Sequence, residues 1–246
     1  MGKYATDFEL FLNTPDPKEV RRLVDKYPFS GVTCNPQMIA DLKRPDYLNV
    51  LRELREATGD RKLFIQTPSN DYDGILRDVE DILSVIGDKP SVIKIPTNSD
   101  GISAIMKLSA QGIDVCGTQV MSTLQGILAL QAGAKYVSVF FAMMQQGGLD
   151  AGGLYGGVDA KAVYDALTTY IEKYKPLGKI MACAPRTPDE ISYLISTGAG
   201  SITLDPFDFD NCFASRHFQN IHKGVRAGWE AVYGQTSIRE MLEGEK

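Results

Sequence analysis

The sequence predicts one closed (βα)₈ barrel of the TIM type. Three observations predict it: eight short β-branched runs recur along the chain, helical patterns alternate with them, and the runs are almost continuously apolar. Strands buried on both faces read in that unbroken way, so the sheet is expected to be parallel with helices over its outer surface. A chain of 246 residues suits eight such units, because a barrel of this kind takes about 250. No G-x-G-x-x-G turn follows the first run, which favours the barrel over an open doubly wound sheet.

The first run, FELFL (8–12), leads into a helical pattern over Pro17–Tyr27, and GVTCN (31–35) into one over Tyr47–Ala57. KLFIQ (62–66) is followed by Tyr72–Ile86, SVIKIP (91–96) by Gly101–Ala110, and IDVCGT (113–118) by Ser122–Ala132. YVSVFF (136–141) precedes Ala160–Tyr174, KIMACA (179–184) precedes Pro188–Thr197, and SITLDP (201–206) precedes a terminal helix around His217–Tyr233. Between Gln145 and Val158 lies QQGGLDAGGLYGGV, read as a flexible surface loop in preference to a phosphate cradle, since it lacks the GK[ST] ending of one. No domain boundary is visible, so residues 1–246 are expected to form a single barrel domain.

Composition excludes several classes of function. A net charge of −5 offers no basic footprint for nucleic acid. MGKYATDFEL has no apolar core of signal-peptide length, and no apolar run approaches the ~20 residues that cross a bilayer, so a cytoplasmic protein with no membrane partner is expected. Cys34, Cys116, Cys183 and Cys212 form no C-x-x-C pair and indicate no disulfide, and three of them sit in apolar runs where a thiol behaves as a small hydrophobe. The two histidines, His217 and His222, lack the i, i+4 spacing of paired metal ligands. A zinc aldolase and a Ser-His-Asp hydrolase therefore lack their parts, and no metal, nucleotide or flavin is implied.

Chemistry in such a barrel sits at the C-terminal ends of the strands. Polar residues there are Asn13, Asn35, Gln66, Lys94, Thr118 and Arg186. Lys94 interrupts an apolar strand and shares the inward face, while its neighbours Ile93 and Ile95 face the helices. Burial disfavours the charged ammonium, and the neutral amine is the state that attacks a ketone to form an imine. The pattern equally fits a lysine that snorkels or is ion-paired at a strand end. Asn13, Asn35, Gln66 and Thr118 read, singly, as residues that finish strands by bonding to local backbone. Thr187 is placed to cap a helix opened by Pro188, with Arg186 just before it, able to meet an anion or to stay solvated.

The ordered motifs Leu10-Phe11-Leu12-Asn13-Thr14, Gly31-Val32-Thr33-Cys34-Asn35-Pro36, Leu63-Phe64-Ile65-Gln66, Ile93-Lys94-Ile95-Pro96, Gly117-Thr118 and Gly234-Gln235-Thr236-Ser237-Ile238 resemble those of the transaldolases. The small microbial branch that includes fructose-6-phosphate aldolase is the most similar. The resemblance implies that Lys94 is the imine-forming lysine, that Gln66 and Thr118 hold a proton-shuttling water, and that Asn13, Thr33 and Asn35 meet the donor sugar. It further implies that a dihydroxyacetone unit passes from a ketose to an aldehyde acceptor without a cofactor.

Departures from the family pattern modify this expectation. Asn13 stands where the family usually has aspartate, and an amide can position a hydroxyl but cannot accept its proton. Phe140 stands where the aldolase branch has tyrosine. Met143 and Ala184 replace the usual arginine and serine of the phosphate end, leaving Arg186 as its cation. One lost charge-assisted hydrogen bond, typically ~1.5–3 kcal/mol, weakens a phosphate site at least about tenfold. A donor with a sulfonate tail, such as 6-deoxy-6-sulfofructose, or with no anion then becomes the sharper expectation. Two other readings stay open: a sugar-phosphate epimerase or isomerase on the same barrel, and a sugar-binding member without catalysis. By resemblance, residues 217–246 pack on a neighbouring subunit of a homo-oligomer, a pentamer or a decamer.

Overall fold

The computed structural model describes residues 6–147, 159–183 and 185–244. Eight parallel strands close on themselves in chain order: β1 (Glu9–Asn13), β2 (Gly31–Thr33), β3 (Lys62–Gln66), β4 (Ser91–Pro96), β5 (Val115–Val120), β6 (Tyr136–Val139), β7 (Lys179–Cys183) and β8 (Ser201–Leu204), with β1 pairing to β8. The expected (βα)₈ barrel is therefore the fold. Helices α1 (Pro17–Leu23), α2 (Pro36–Asp41), α3 (Tyr47–Thr58), α4 (Tyr72–Ile86), α5 (Ser99–Ala110), α6 (Thr123–Gln131), α7 (Phe141–Gly147), α8 (Ala160–Tyr174) and α9 (Pro188–Ser196) alternate with the strands. Residues Met1–Pro206 form one compact unit and Phe207–Lys246 a second.

Strands β1, β2, β5, β6 and β8 start or end at other residues than the sequence reading gives, and the ends of β6 and β5 are the informative cases. The sixth strand stops at Val139, and Phe141 instead opens α7, where it is fully buried with its ring 6.2 Å from that of Tyr164 on α8. Burial of that aromatic against a neighbouring helix outweighs the β-propensity of the VSVFF run. The fifth strand continues past Thr118 through a register shift between Gly117 and Val120, where Gln119 takes a left-handed φ of 62°. Such a bulge re-aims the end of a strand, and here it lies beside Thr118. Of the glycine-rich stretch, Gln145 belongs to α7, while 148–158 lie outside the described residues.

Side-chain alternation sorts the barrel interior into layers. On β1 the inward series is Glu9, Phe11, Asn13; on β3 it is Lys62, Phe64, Gln66; on β4, Val92 and Lys94; on β7, Lys179, Met181, Cys183. Phe11, Phe64, Val92, Cys116, Tyr136 and Met181 fill the middle, with the Phe11 and Phe64 rings edge-on at 4.7 Å and Phe64 and Tyr136 at 5.1 Å. This apolar waist separates two polar mouths. Gly101 anchors the start of α5 under the C-terminal mouth: a Cβ there would lie 1.8 Å from the Pro96 carbonyl oxygen, so only glycine fits.

The N-terminal mouth is closed by an ionic knot. Lys62 Nζ donates to Glu9 Oε1 at 2.5 Å and to Tyr136 Oη at 2.7 Å; Tyr136 Oη donates to Glu9 Oε2 at 2.7 Å; Lys179 Nζ lies 2.9 Å from the same oxygen. Burial pushes the Glu9 carboxyl up from its ordinary 4.5, but the bonds from Lys62, Lys179 and Tyr136 outweigh it and the net shift is downward. A depressed carboxyl pKa contributes stability above the unfolded value of 4.5, lost as pH falls through the lower folded value. Glu9→Gln is therefore expected to cost about 1–3 kcal/mol at neutral pH and much less near pH ~3. Urea unfolding at both pH values checks this, and an equal gap at both would contradict it.

After β8 comes α10 (Pro206–Asn211). In the second unit, α11 (Arg216–Tyr233) starts at Ser215, whose hydroxyl accepts from Phe218 N, and α12 (Ile238–Gly244) follows. None of the residues of α11 is buried, although Phe218, Ile221, Val225 and Val232 repeat at helical spacing.

Candidate active site

A cavity of about 140 Å³ opens at the C-terminal mouth of the barrel, lined by Asn13, Asn35, Lys94, Phe140, Ala142, Met143, Cys183 and Thr203. That is room for roughly ten waters or one small polar molecule. A larger hollow of about 720 Å³ lies at the opposite mouth, but its central Glu9, Lys62, Tyr136 and Lys179 are engaged with one another. The fold puts chemistry at the former end.

Lys94 is the cation of the cavity wall. Its side chain rises from the middle of β4, inward because Val92 two residues earlier is packed in the aromatic waist. Only 5% of the residue is exposed. The amine donates to the Cys34 carbonyl at 3.0 Å and to Thr33 Oγ1 at 3.3 Å, so the end of β2 holds it. No carboxylate stands among these partners, which disposes of the ion-paired strand-end reading in favour of an amine held by neutral groups over a cavity.

Asn13, Asn35 and Phe140 meet Lys94 around the cavity, and Thr33 touches its amine. Asn35 also does the local work the sequence suggested: its Oδ1 accepts from Met38 N at 2.9 Å and caps α2, with Pro36 at the first helical position. What it turns to the cavity is then its amide NH₂. Asn13 Nδ2 donates to Asp205 Oδ1 at 2.7 Å. Gln66 stands opposite Lys94 in the β3–β4 register, and Thr118 opposite Pro96 in the β4–β5 register, both buried but neither lining the cavity. Thr118 Oγ1 is buried with no hydrogen-bond partner among the described residues. An unsatisfied buried hydroxyl costs about 1–3 kcal/mol, a strain usually kept where function uses the group.

Arg186 is exposed in the joint between β7 and α9 and does not line the cavity; its backbone N donates to Glu190 Oε2. Thr187 and Pro188 open α9 as expected, with Thr187 Oγ1 accepting from Glu190 N. Met143 is 51% exposed on the cavity rim, and residue 184 lies outside the described residues.

Cys34, Cys116 and Cys183 are buried and free. Burial pushes the Cys34 thiol up to about 12, against the opposing charge of Lys94, and shifts Cys183 upward for the same reason. Cys183 Sγ lies 2.7 Å from Ser138 Oγ. Of these thiols Cys183 alone is among the cavity-lining residues, and burial keeps it protonated and so a poor nucleophile. Cys183, Thr203 and Asp205 were not singled out from the sequence. The signal was present, since Asp205 ends the SITLDP run, and the strand-end rule extended to the eighth strand finds it. Among the described residues no helix is long and apolar enough to cross a membrane, and no group of three or more His, Cys, Asp or Glu is placed to hold a metal.

Solved structures similar to this chain share the barrel at low identity. A thiamine phosphate pyrophosphorylase from Pyrococcus furiosus superposes with a TM-score of 0.53 at 14% identity, covering 93% of this chain and 98% of that one. A structure described as native KDPGal gives 0.51 at 17%, covering 83% and 84%, and a designed cube-shaped protein cage gives 0.52 at 17%, covering 98% and 84%. These likenesses speak to the fold alone. The family pattern described as transaldolase/fructose-6-phosphate aldolase matches residues 10–233, nearly the whole barrel with every strand-end motif and all of α11. The chain thus belongs to the transaldolase/fructose-6-phosphate aldolase family and is an enzyme of the aldolase type.

Proposed function

We propose that this enzyme is a class I aldolase or transaldolase in which Lys94 condenses with a ketose, the resulting imine acts as an electron sink, and a dihydroxyacetone unit is released or passed to an aldehyde. The observation that carries this reading is the amine itself, 5% exposed, held by a carbonyl and a hydroxyl and open to a small polar cavity. The partners of the amine are neutral, so no carboxylate competes with a carbonyl carbon for it, and the neutral form is the nucleophile. Asn35 offers amide hydrogens to donor oxygens, Asn13 and Thr33 orient the hydroxyls and the amine, and Gln66 with Thr118 hold the water that shuttles protons during imine formation. The partnerless hydroxyl of Thr118 supports that last assignment. Borohydride reduction in the presence of a ketose tests the reading: a three-carbon adduct is expected on Lys94. An epimerase, an isomerase or a non-catalytic sugar binder would give none.

The wall supports a reading of the donor's tail. Among its lining residues Lys94 is the cation, Met143 presents a thioether on the rim, and Arg186 stands apart from the lining. A dianionic phosphate would find few charged partners, whereas a singly charged sulfonate or an uncharged end loses less on leaving water. We expect 6-deoxy-6-sulfofructose to be turned over with a kcat/KM at least about tenfold that of fructose 6-phosphate. Equal values, measured side by side, would remove this preference. The apolar repeat on α11 supports a homo-oligomer in which 217–246 pack on a neighbouring subunit, as in a pentamer or paired pentamers. Sedimentation at 27 kDa, the mass of one chain, would refute it.

A further inference from the structure

Breaking a carbon–carbon bond beside a protonated imine requires a base, because the hydroxyl beyond that bond must lose its proton as it becomes a carbonyl. Among the described residues, those that line the cavity include no carboxylate and no histidine. An amide does not accept a proton, a phenyl ring has no atom for one, and Lys94 is occupied by the imine. The Cys183 thiol is held protonated by burial. Glu9 points into the barrel from the far mouth, behind the aromatic waist.

Among the described residues, the exposed carboxylate of Asp205 is bonded to a side chain that lines the cavity. Asp205 follows β8 directly, two residues beyond Thr203, which lines the cavity. The β1–β8 register pairs Leu12 with Leu204, so Asn13 and Asp205 come side by side at the rim. Their side chains meet, Asn13 Nδ2 donating to Asp205 Oδ1 at 2.7 Å. A carboxylate only accepts, so this bond turns the amide nitrogen of Asn13 to Asp205 and its carbonyl oxygen away. Asp205 therefore stands one hydrogen bond behind a side chain of the cavity wall. The negative charge of Asp205 also contributes to the upward shift of the Cys183 thiol on the neighbouring strand β7.

We propose that Asp205 is the general base of the carbon–carbon cleavage step, with Asn13 orienting the hydroxyl that it deprotonates. In that step the O–H bond of the donor hydroxyl breaks and its proton goes to Asp205, while the oxygen forms the second bond of the new aldehyde. The electron pair of the broken C–C bond moves onto the Lys94 iminium and makes an enamine. Attack of the enamine on an acceptor aldehyde returns the proton from Asp205 to the new alkoxide, so no external oxidant or reductant takes part. This rests on the imine reading of Lys94.

The test uses Asp205→Asn and the exchange variant Asn13→Asp/Asp205→Asn, each assayed for borohydride adducts with a ketose donor, aldehyde release and pH–rate profile. Asp205→Asn is expected to form the imine within about threefold of the parent rate but to cleave about 10²-fold more slowly. Its trapped adduct should be the intact donor instead of the three-carbon fragment, and the acidic limb of its kcat profile should vanish. The exchange variant, with the carboxylate moved across the same hydrogen bond, should regain at least about tenfold of the lost cleavage. Cleavage by Asp205→Asn within threefold of the parent would overturn the assignment. So would loss of trapping together with cleavage, or an exchange variant no better than the single one. If the unaltered protein forms no adduct at all, the imine reading itself fails, separately from Asp205.

Discussion

Lys94→Met is expected to reduce turnover by about four orders of magnitude or more and to abolish the borohydride adduct, because no other amine stands among the cavity-lining residues to take its place. The effect should be chemical and not structural. Methionine approximates the lysine stem in length and volume, and the residue is 5% exposed in an apolar barrel, so the substitution removes a polar head whose burial is costly. Against that stands the loss of the bonds to the Cys34 carbonyl and Thr33 Oγ1. The two effects oppose each other, and thermal unfolding should shift by no more than a few degrees. Lys94→Arg should be equally inactive, since a guanidinium stays charged and cannot form the imine. Retained turnover in either variant, measured at high enzyme concentration, would end the proposed mechanism.

Thr118→Val should lower kcat about 10²-fold while leaving stability unchanged or slightly raised. The two side chains are nearly isosteric, so packing at the end of β5 is kept. The hydroxyl lost is buried and without a partner among the described residues, and a group that contributes no bond to the fold can be removed without penalty. In the proposed mechanism it holds a water for proton transfer, so the loss should fall on kcat and on the rate of imine trapping, with KM changed little. A fall in stability with unchanged kcat would make Thr118 a packing residue and remove it from the mechanism.

The depth at which each interaction could be read follows its separation along the chain. KLFIQ, SVIKIP, Tyr72–Ile86 and Ala160–Tyr174 were delimited to the residue, since β-branched runs and helical repeats are local signals. The caps at Asn35 and Thr187 are local too, each closing a turn within three residues. Lys94 was legible for a different reason, as a cation breaking an apolar period. Its partners at Thr33 and Cys34, 61 and 60 residues away, were not. Asp205 was overlooked although it directly follows a strand, and its bond to Asn13 joins residues 192 apart.

What the amino-acid order determined alone is the barrel, the inward set on each strand and the family motifs, because pleat and helical repeat act between near neighbours. Tertiary closure decided the rest: the pairing of β1 with β8 brings Asn13 to Asp205, and Glu9 meets Tyr136 only once the ring is complete. Alternation says which face a side chain takes. It carries no information on which inward group stands across from it, since that depends on strand stagger and barrel circumference, properties of all eight strands together.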